Sequence, residues 1–174
     1  MKRITMFKRR VQLLFILLFL ITGCAADRKS MIVENSNSDS LKSKNNALKT
    51  YYVATASSKT PGFTLVKSDD LKSALEESLK NSNLYSEKSR ANFIIDVNLF
   101  NLDLPIFGIS PEVSSQVNYK ITAADNSKKI SNTEISSSGK ASFFDGLTAD
   151  LRLKVAIERA VKENIKKFID GLKD

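Results

Sequence analysis

Histidine and tryptophan are absent from this chain of 174 residues, and cysteine occurs once, as Cys24. Without histidine, Ser-His-Asp and Cys-His nucleophilic mechanisms are excluded, and so are histidine-bearing zinc, copper and iron sites. A single cysteine allows no internal disulfide, so a folded domain must be held by packing. No D-x-D-x-D-G loop offers a calcium site. Carboxylate pairs, Ser-Lys couples and oxygen-ligand cation sites are what remains. Asp69-Asp70 reads as the acidic first turn of a helix and Glu76-Glu77 as a solvated helix face. Ser138 and Lys140 stand two residues apart in a strand-like run, which is proximity only. The surrounding Ser136-Ser137-Ser138-Gly139-Lys140 lacks the G-x-x-x-x-G-K-[ST] spacing of a phosphate loop. The expectation is a chain that is not an enzyme, with no metal and no cofactor.

Charge is distributed unevenly. The formal net charge is +8, but Lys2, Arg3, Lys8, Arg9 and Arg10 supply five of the 27 basic residues, and none of the 19 acidic residues precedes Asp27. Beyond that cationic front the balance is 22 basic against 19 acidic, or +3. The high isoelectric point therefore belongs to the amino terminus, and no RNP-type, helix-turn-helix or zinc-finger pattern accompanies it. No nucleic-acid partner is expected.

After the basic residues, Leu13 to Ile21 is uninterrupted hydrocarbon, followed by Thr22, Gly23 and Cys24. Cationic front, apolar run and small residues are the order of a secretory signal peptide. A transmembrane helix needs about 20 apolar residues, whereas Val11 to Cys24 supplies 14, with Gln12 and Thr22 among them. Ile21-Thr22-Gly23-Cys24 resembles the lipobox of bacterial lipoproteins. That resemblance implies cleavage by signal peptidase II after Gly23, a diacylglycerol on the Cys24 thiol, fatty acylation (commonly palmitate) of its amino group, and attachment to the membrane through this lipid. Ala25 in the second mature position, where aspartate favours inner-membrane retention, leans the same resemblance toward the outer membrane, facing the periplasm. Residues 1–23 are then a signal peptide, 24–49 a lipid-anchored flexible tether rich in Ser, Asn and Lys, whose one apolar break, Met31-Ile32-Val33, either packs loosely or forms a small docking segment, and 50–174 a single domain.

Within the domain, Tyr51 to Thr55 has strand composition, Pro61-Gly62 marks a turn, and Ser68 stands as an N-cap before Asp69 and Asp70. Leu71, Ala74, Leu75 and Leu79 recur at helical spacing over 69–81. Phe93, Ile95, Val97 and Leu99 share one face of a strand over 91–101. Val117, Tyr119, Ile121 and Ala123 alternate with polar residues in 113–124. Asp125 to Lys128 is a turn into a serine-rich edge strand over 130–139, with Thr133 and Ile135 as its inward positions. Residues 147–172 form a long helix, Thr148 its cap, with Lys154, Glu158 and Lys162 as a salt-bridged exposed ridge. The order β-α-β-β-β-α predicts an α+β two-layer sandwich: an antiparallel sheet of about four strands with the short helix and the long C-terminal helix on one face.

Leu71-x-x-Ala74-Leu75-x-x-x-Leu79, Leu84-Tyr85, Ala91-Asn92-Phe93-Ile94-Ile95-Asp96-Val97 and Tyr119 together resemble the small α+β envelope domains of the TolB amino-terminal, curli-secretion and penicillin-binding-protein-activator type. Asn83 stands where those domains carry glycine, and Asn92 where they carry aspartate. The resemblance implies a non-catalytic accessory role in envelope assembly or maintenance, with an envelope protein as partner. The connection between the second and third strands holds Leu104, Ile106, Phe107 and Ile109, the last three between Pro105 and Pro111, and is more apolar than a hairpin requires. Such a loop is either folded over the core or exposed as a docking loop for a partner. Alternative functions are a carrier of a small apolar ligand or lipid between sheet and C-terminal helix, and, more remotely, a hydrolase. The sequence leaves the oligomeric state open.

Overall fold

The computed structural model describes residues 25–34, 49–59, 65–105 and 109–173. The signal at 1–23, Cys24 and the Pro61-Gly62 turn lie outside the described residues. The elements are α1 (Arg28–Met31), β1 (Tyr51–Ser58), α2 (Ser68–Asn81), β2 (Phe93–Asp103), β3 (Glu112–Ala123), β4 (Lys129–Lys140), a 3-10 turn (Phe143–Asp145) and α3 (Ala149–Lys173).

The chain is an α+β protein with a four-stranded sheet in the order β1-β2-β3-β4. The expectation of an all-antiparallel sheet is corrected at one edge: β1 and β2 are parallel, while β2-β3 and β3-β4 are antiparallel. The cause is α2. A helical crossover carries the chain back to the end where β1 began, so the next strand runs in the same sense.

Residue pattern explains each element. In α2 the acidic Asp69 and Asp70 stabilise the positive end of the helix, and Leu71, Ala74, Leu75 and Leu79 are buried. Its N-cap residue is Lys67 rather than the expected Ser68, whose Oγ instead accepts a hydrogen bond from the Ser58 N–H at 3.1 Å. Asn83 closes the helix in the left-handed region, φ 57°. The Leu84 N–H reaches the Leu79 carbonyl at 2.9 Å and the Asn83 N–H that of Lys80 at 3.0 Å, which is a Schellman closure. Asparagine serves there in place of glycine because its short polar side chain tolerates that backbone conformation.

In β2 a register shift between Leu99 and Asn101 lets both Leu99 and Leu102 point into the core. Strand β3 buries Val113, Ser115, Val117, Tyr119 and Ile121 in strict alternation. In strand β4 the expected inward positions Thr133 and Ile135 share a face with Ser137 and Gly139, but Thr133 is exposed and Ile135 half-buried, while Ser137 and Gly139 are buried. The reason is where α3 crosses. It presses on the far end of β4, so the polar and small residues there are covered and the threonine is not. α3 buries Ala156, Ile157, Ala160, Val161, Ile165, Phe168 and Ile169, each large apolar side chain contributing about 1.5–3 kcal/mol.

The amino-terminal segment also departs from expectation. Residues 25–34 are not tether. Ala26, Met31 and Ile32 are buried in the same core as the sheet and helices. Asp27 caps α1 by accepting the Lys29 N–H at 3.1 Å, and Ser78 Oγ accepts the Val33 N–H at 2.9 Å. Two isolated apolar residues can dock because α2 and α3 leave a groove whose walls satisfy the segment's backbone polar groups.

Candidate functional site

Strand directions place the ends of β1, β2 and β4 and the starts of β3, α2 and α3 together, at what is here the upper end of the sheet. The Ala26 N–H donates to the Leu65 carbonyl at 2.9 Å, just before α2 starts. The Asp27 N–H donates to Glu158 Oε1 at 2.6 Å. Glu158, expected on an exposed ridge, is therefore buried beneath this segment, with Lys154 Nζ 3.8 Å from its carboxylate. The segment then descends to the lower end, where the Asn81 amide donates to the Val33 carbonyl at 3.0 Å. Residue 50 stands at that lower end too, the Thr50 N–H donating to Asn92 Oδ1 at 3.2 Å. Residues 35–48, the remainder of the expected tether, lie outside the described residues and join two points at the same end of the domain.

The upper end is apolar on its outside. Leu104 is 37% exposed, Ile109 68%, Phe143 58%, Phe144 94%, Leu147 96% and Leu151 44%. These are six of the seven large hydrophobic residues exposed among the described residues, the seventh being Ile130 at the lower end. Of the expected docking loop, Leu104 and Ile109 are thus outside the core, and Ile106 and Phe107 lie outside the described residues.

The turn that carries Phe143, Phe144 and Leu147 is held firmly. Asp145 Oδ2 accepts the Ser142 N–H at 2.6 Å and the Ser142 hydroxyl at 2.9 Å. Arg159 pairs with both oxygens of Asp145, at 2.7 and 2.8 Å, and donates to the Lys140 carbonyl at 2.7 Å. The Arg159 and Ser142 hydrogen bonds hold the Asp145 carboxyl well below the usual carboxylate range. Arg152 donates to the Gly146 carbonyl at 2.9 Å and lies 5.5 Å from the Phe143 ring centre. Thr148 Oγ1 accepts the Leu151 N–H at 3.3 Å, the expected cap of the last helix.

Beneath α3 is a polar cluster that sequence reasoning missed. Ser115 and Ser137 hydroxyls lie 2.9 Å apart, one donating to the other, and the Ala160 carbonyl lies 3.2 and 2.8 Å from them and accepts the remaining proton. The Asn164 amide donates to the Ile135 carbonyl at 2.8 Å and its Oδ1 accepts the Tyr119 hydroxyl at 3.1 Å. Burial pushes the Tyr119 phenol above its ordinary value. The signal for this cluster was available only as serines in strand alternation. The cluster registers α3 on the sheet: its hydroxyls are mutually satisfied and none faces solvent. Ser136 to Lys140 are the last rungs of β4, paired with β3 through Val113 and Gly139, so the phosphate-loop motif lies in a strand. Gly139 is needed because a Cβ there would run into the backbone of Ala156 and Ala160.

A cleft of about 400 Å³ opens at the lower end between sheet and α3. Ile121, Ile135, Phe168 and Leu172 share its lining with Lys49, Ser131, Thr133 and Lys167. Among the described residues no group of three or more potential metal ligands is found, and no helix is long and apolar enough to cross a membrane.

No family model matches the chain, and no curated protein does either. Solved structures do resemble it. Protein XCC0632 from Xanthomonas campestris, of family DUF330, is 11% identical with a TM-score of 0.52, covering 69% of this chain and 81% of that one. The hypothetical protein CT253 from Chlamydia trachomatis is 9% identical with a TM-score of 0.53, over 73% and 96%. A Caulobacter crescentus CB15 chain named as a candidate lipoprotein is 16% identical with a TM-score of 0.49, over 72% and 88%. The first two likenesses establish a shared fold and nothing beyond it; the third is looser and adds nothing to that.

Proposed function

We propose that the chain is a bacterial envelope lipoprotein, anchored through lipid on Cys24, whose domain is a non-catalytic interaction or accessory module at the periplasmic side of the outer membrane. The observation that carries this reading is the run from Lys2 to Cys24, with its cationic front, apolar stretch and lipobox-like close. The fold is compatible with it: the described core begins at Ala26, so a cut before Cys24 removes nothing from it. Two or more acyl chains give stable attachment where one is marginal. Support for a non-catalytic domain comes from composition and from the placing of the remaining candidates. Asp69 and Asp70 serve a helix start, and Ser138 and Lys140 lie exposed near the end of an edge strand.

The test is metabolic labelling with radioactive palmitate in a bacterial host. Wild-type protein is expected in the membrane fraction and labelled, and Cys24→Ala unlabelled and released. An unlabelled wild type that fractionates like Cys24→Ala would sink the proposal.

The lower cleft favours a second reading, a carrier of a small ligand between sheet and α3. Its two lysines, together with Ser131 and Thr133, suit a ligand with a polar head rather than a wholly apolar one. Native mass spectrometry of protein purified from membranes is expected to retain such a ligand in wild type and lose it in Phe168→Ala; ligand-free wild type rules the carrier out.

A further inference from the structure

The placement of the apolar residues bears on how the domain meets the membrane, an inference that rests on the lipid-anchor reading above. Cys24 is two residues from Ala26, whose backbone is fastened to Leu65 at the upper end. Two residues span at most about 7 Å. The acyl chains are therefore rooted beside the upper end, and the 25-residue flexible spacer expected from composition does not stand between lipid and domain.

That same end carries all but one of the exposed large hydrophobic residues among the described residues. Phe144 and Leu147 project from a turn cross-tied by the Asp145–Arg159 pair and the Ser142 capping contacts. Their exposure is thus built into the fold and is not the result of an unstructured excursion. Charge around the rim is mixed and not basic, with Lys59, Lys67 and Lys140 beside Asp69, Asp103, Glu112 and Asp150, all exposed. Such a rim around an apolar centre fits the headgroup–acyl boundary, where insertion is driven by hydrocarbon and not by attraction to anionic lipid.

We propose that the upper end is a membrane-contact surface, in which Ile109, Phe144 and Leu147 enter the boundary of the leaflet that holds the Cys24 lipid and seat the domain directly on the bilayer. The sheet then stands on end above the membrane, with the lower cleft directed away from it.

The absence of tryptophan makes the test clean. Phe144→Trp places a lone fluorophore at the upper end and Asn126→Trp one in the β3-β4 turn at the lower end. Each full chain is expressed, extracted from membranes, checked by intact mass for acylation, and reconstituted into phosphatidylethanolamine–phosphatidylglycerol vesicles containing brominated acyl chains. The expected result is blue-shifted Phe144→Trp emission, quenched about two-fold or more relative to Asn126→Trp and unaffected by high salt, as for interfacial aromatics. Leu147→Trp repeats the measurement should the first variant fold poorly. Acylated protein with equal, solvent-like emission at both ends would overturn the proposal. So would a blue shift without bromine quenching, which assigns the surface to a second copy of the chain or to another protein. Unmodified Cys24 removes the anchor reading itself, and the surface proposal with it; intact mass distinguishes that failure from the other two.

Discussion

Gly139 lacks a side chain because the backbone of α3 occupies the place where one would sit. Gly139→Ala must lift the helix or bend β4, and overpacking of this kind costs about 1–3 kcal/mol. Thermal unfolding is expected to show a lowered Tm with no change at the exposed turn. Asn164 is the hub of the polar cluster under the same helix, and Asn164→Ala strands the Tyr119 hydroxyl and the Ile135 carbonyl. Leaving buried groups unpaired costs about 1–3 kcal/mol, measurable as a reduced midpoint in urea with unchanged slope. Asp145 behaves in the opposite way to a buried group, since its lowered carboxyl value comes from hydrogen bonds at the surface. A depressed folded-state value stabilises the turn at pH above the usual carboxylate range, about 4. That contribution is lost only as pH falls further, through the lowered value. Amide chemical shifts of Ser142 and Asp145 are therefore expected to stay constant from neutral pH through the range where exposed Asp and Glu titrate. A titration step near the ordinary aspartate value would show that the Arg159 pair does not form.

Among the elements, α1 is the one whose stability is most separable. It is four residues long and cannot persist alone; it exists because Met31 and Ile32 enter the groove between α2 and α3 and Glu158 receives the Asp27 N–H. Glu158→Ala is expected to speed hydrogen exchange across residues 26–33 by about ten-fold or more while leaving β3 amides protected, since a docked segment opens below the global unfolding energy. Equal acceleration in both would mean that the segment is part of the main cooperative unit. The longer elements were legible in the sequence to within a few residues because each shows one clear period. Leu71, Ala74, Leu75 and Leu79 mark α2, and Val117, Tyr119 and Ile121 mark β3. Three features were not legible. The parallel pairing of β1 and β2 depends on treating α2 as a crossover between neighbouring strands. The extent of docking over 25–34, beyond the apolar break at Met31-Ile32-Val33, depends on a groove that only the assembled helices create. The depth of burial along β4 was not legible, because serine and glycine carry no hydrophobic signal, yet Ser137 and Gly139, on the same face as Thr133 and Ile135, are where α3 approaches most closely.

For the whole molecule, the account joins a chemical anchor to a direction. Ile21, Thr22, Gly23 and Cys24 lie outside the described residues, so their role stands on the resemblance to a lipobox, while the upper end of the domain stands on geometry. The apolar composition of the expected docking loop signals a surface or a cover, and among its described residues Leu104 and Ile109 are exposed. Phe144 and Leu147 were not singled out as a surface, because a turn of aromatic and aliphatic residues before a helix is ordinarily an anchor in the core. Paired substitution Phe144→Ser with Leu147→Ser is expected to leave Tm within about 3 °C, as two surface changes do, while increasing extraction from membranes at high pH. A large fall in Tm would instead place both side chains in the core.

The most direct test of the account is the intact mass of the full chain expressed in a Gram-negative bacterium and extracted from its membranes. The account predicts a polypeptide that begins at Cys24 and carries a diacylglyceryl group and a further acyl chain. A mass equal to the unmodified 174-residue chain, or to a fragment cut elsewhere and free of lipid, would contradict it.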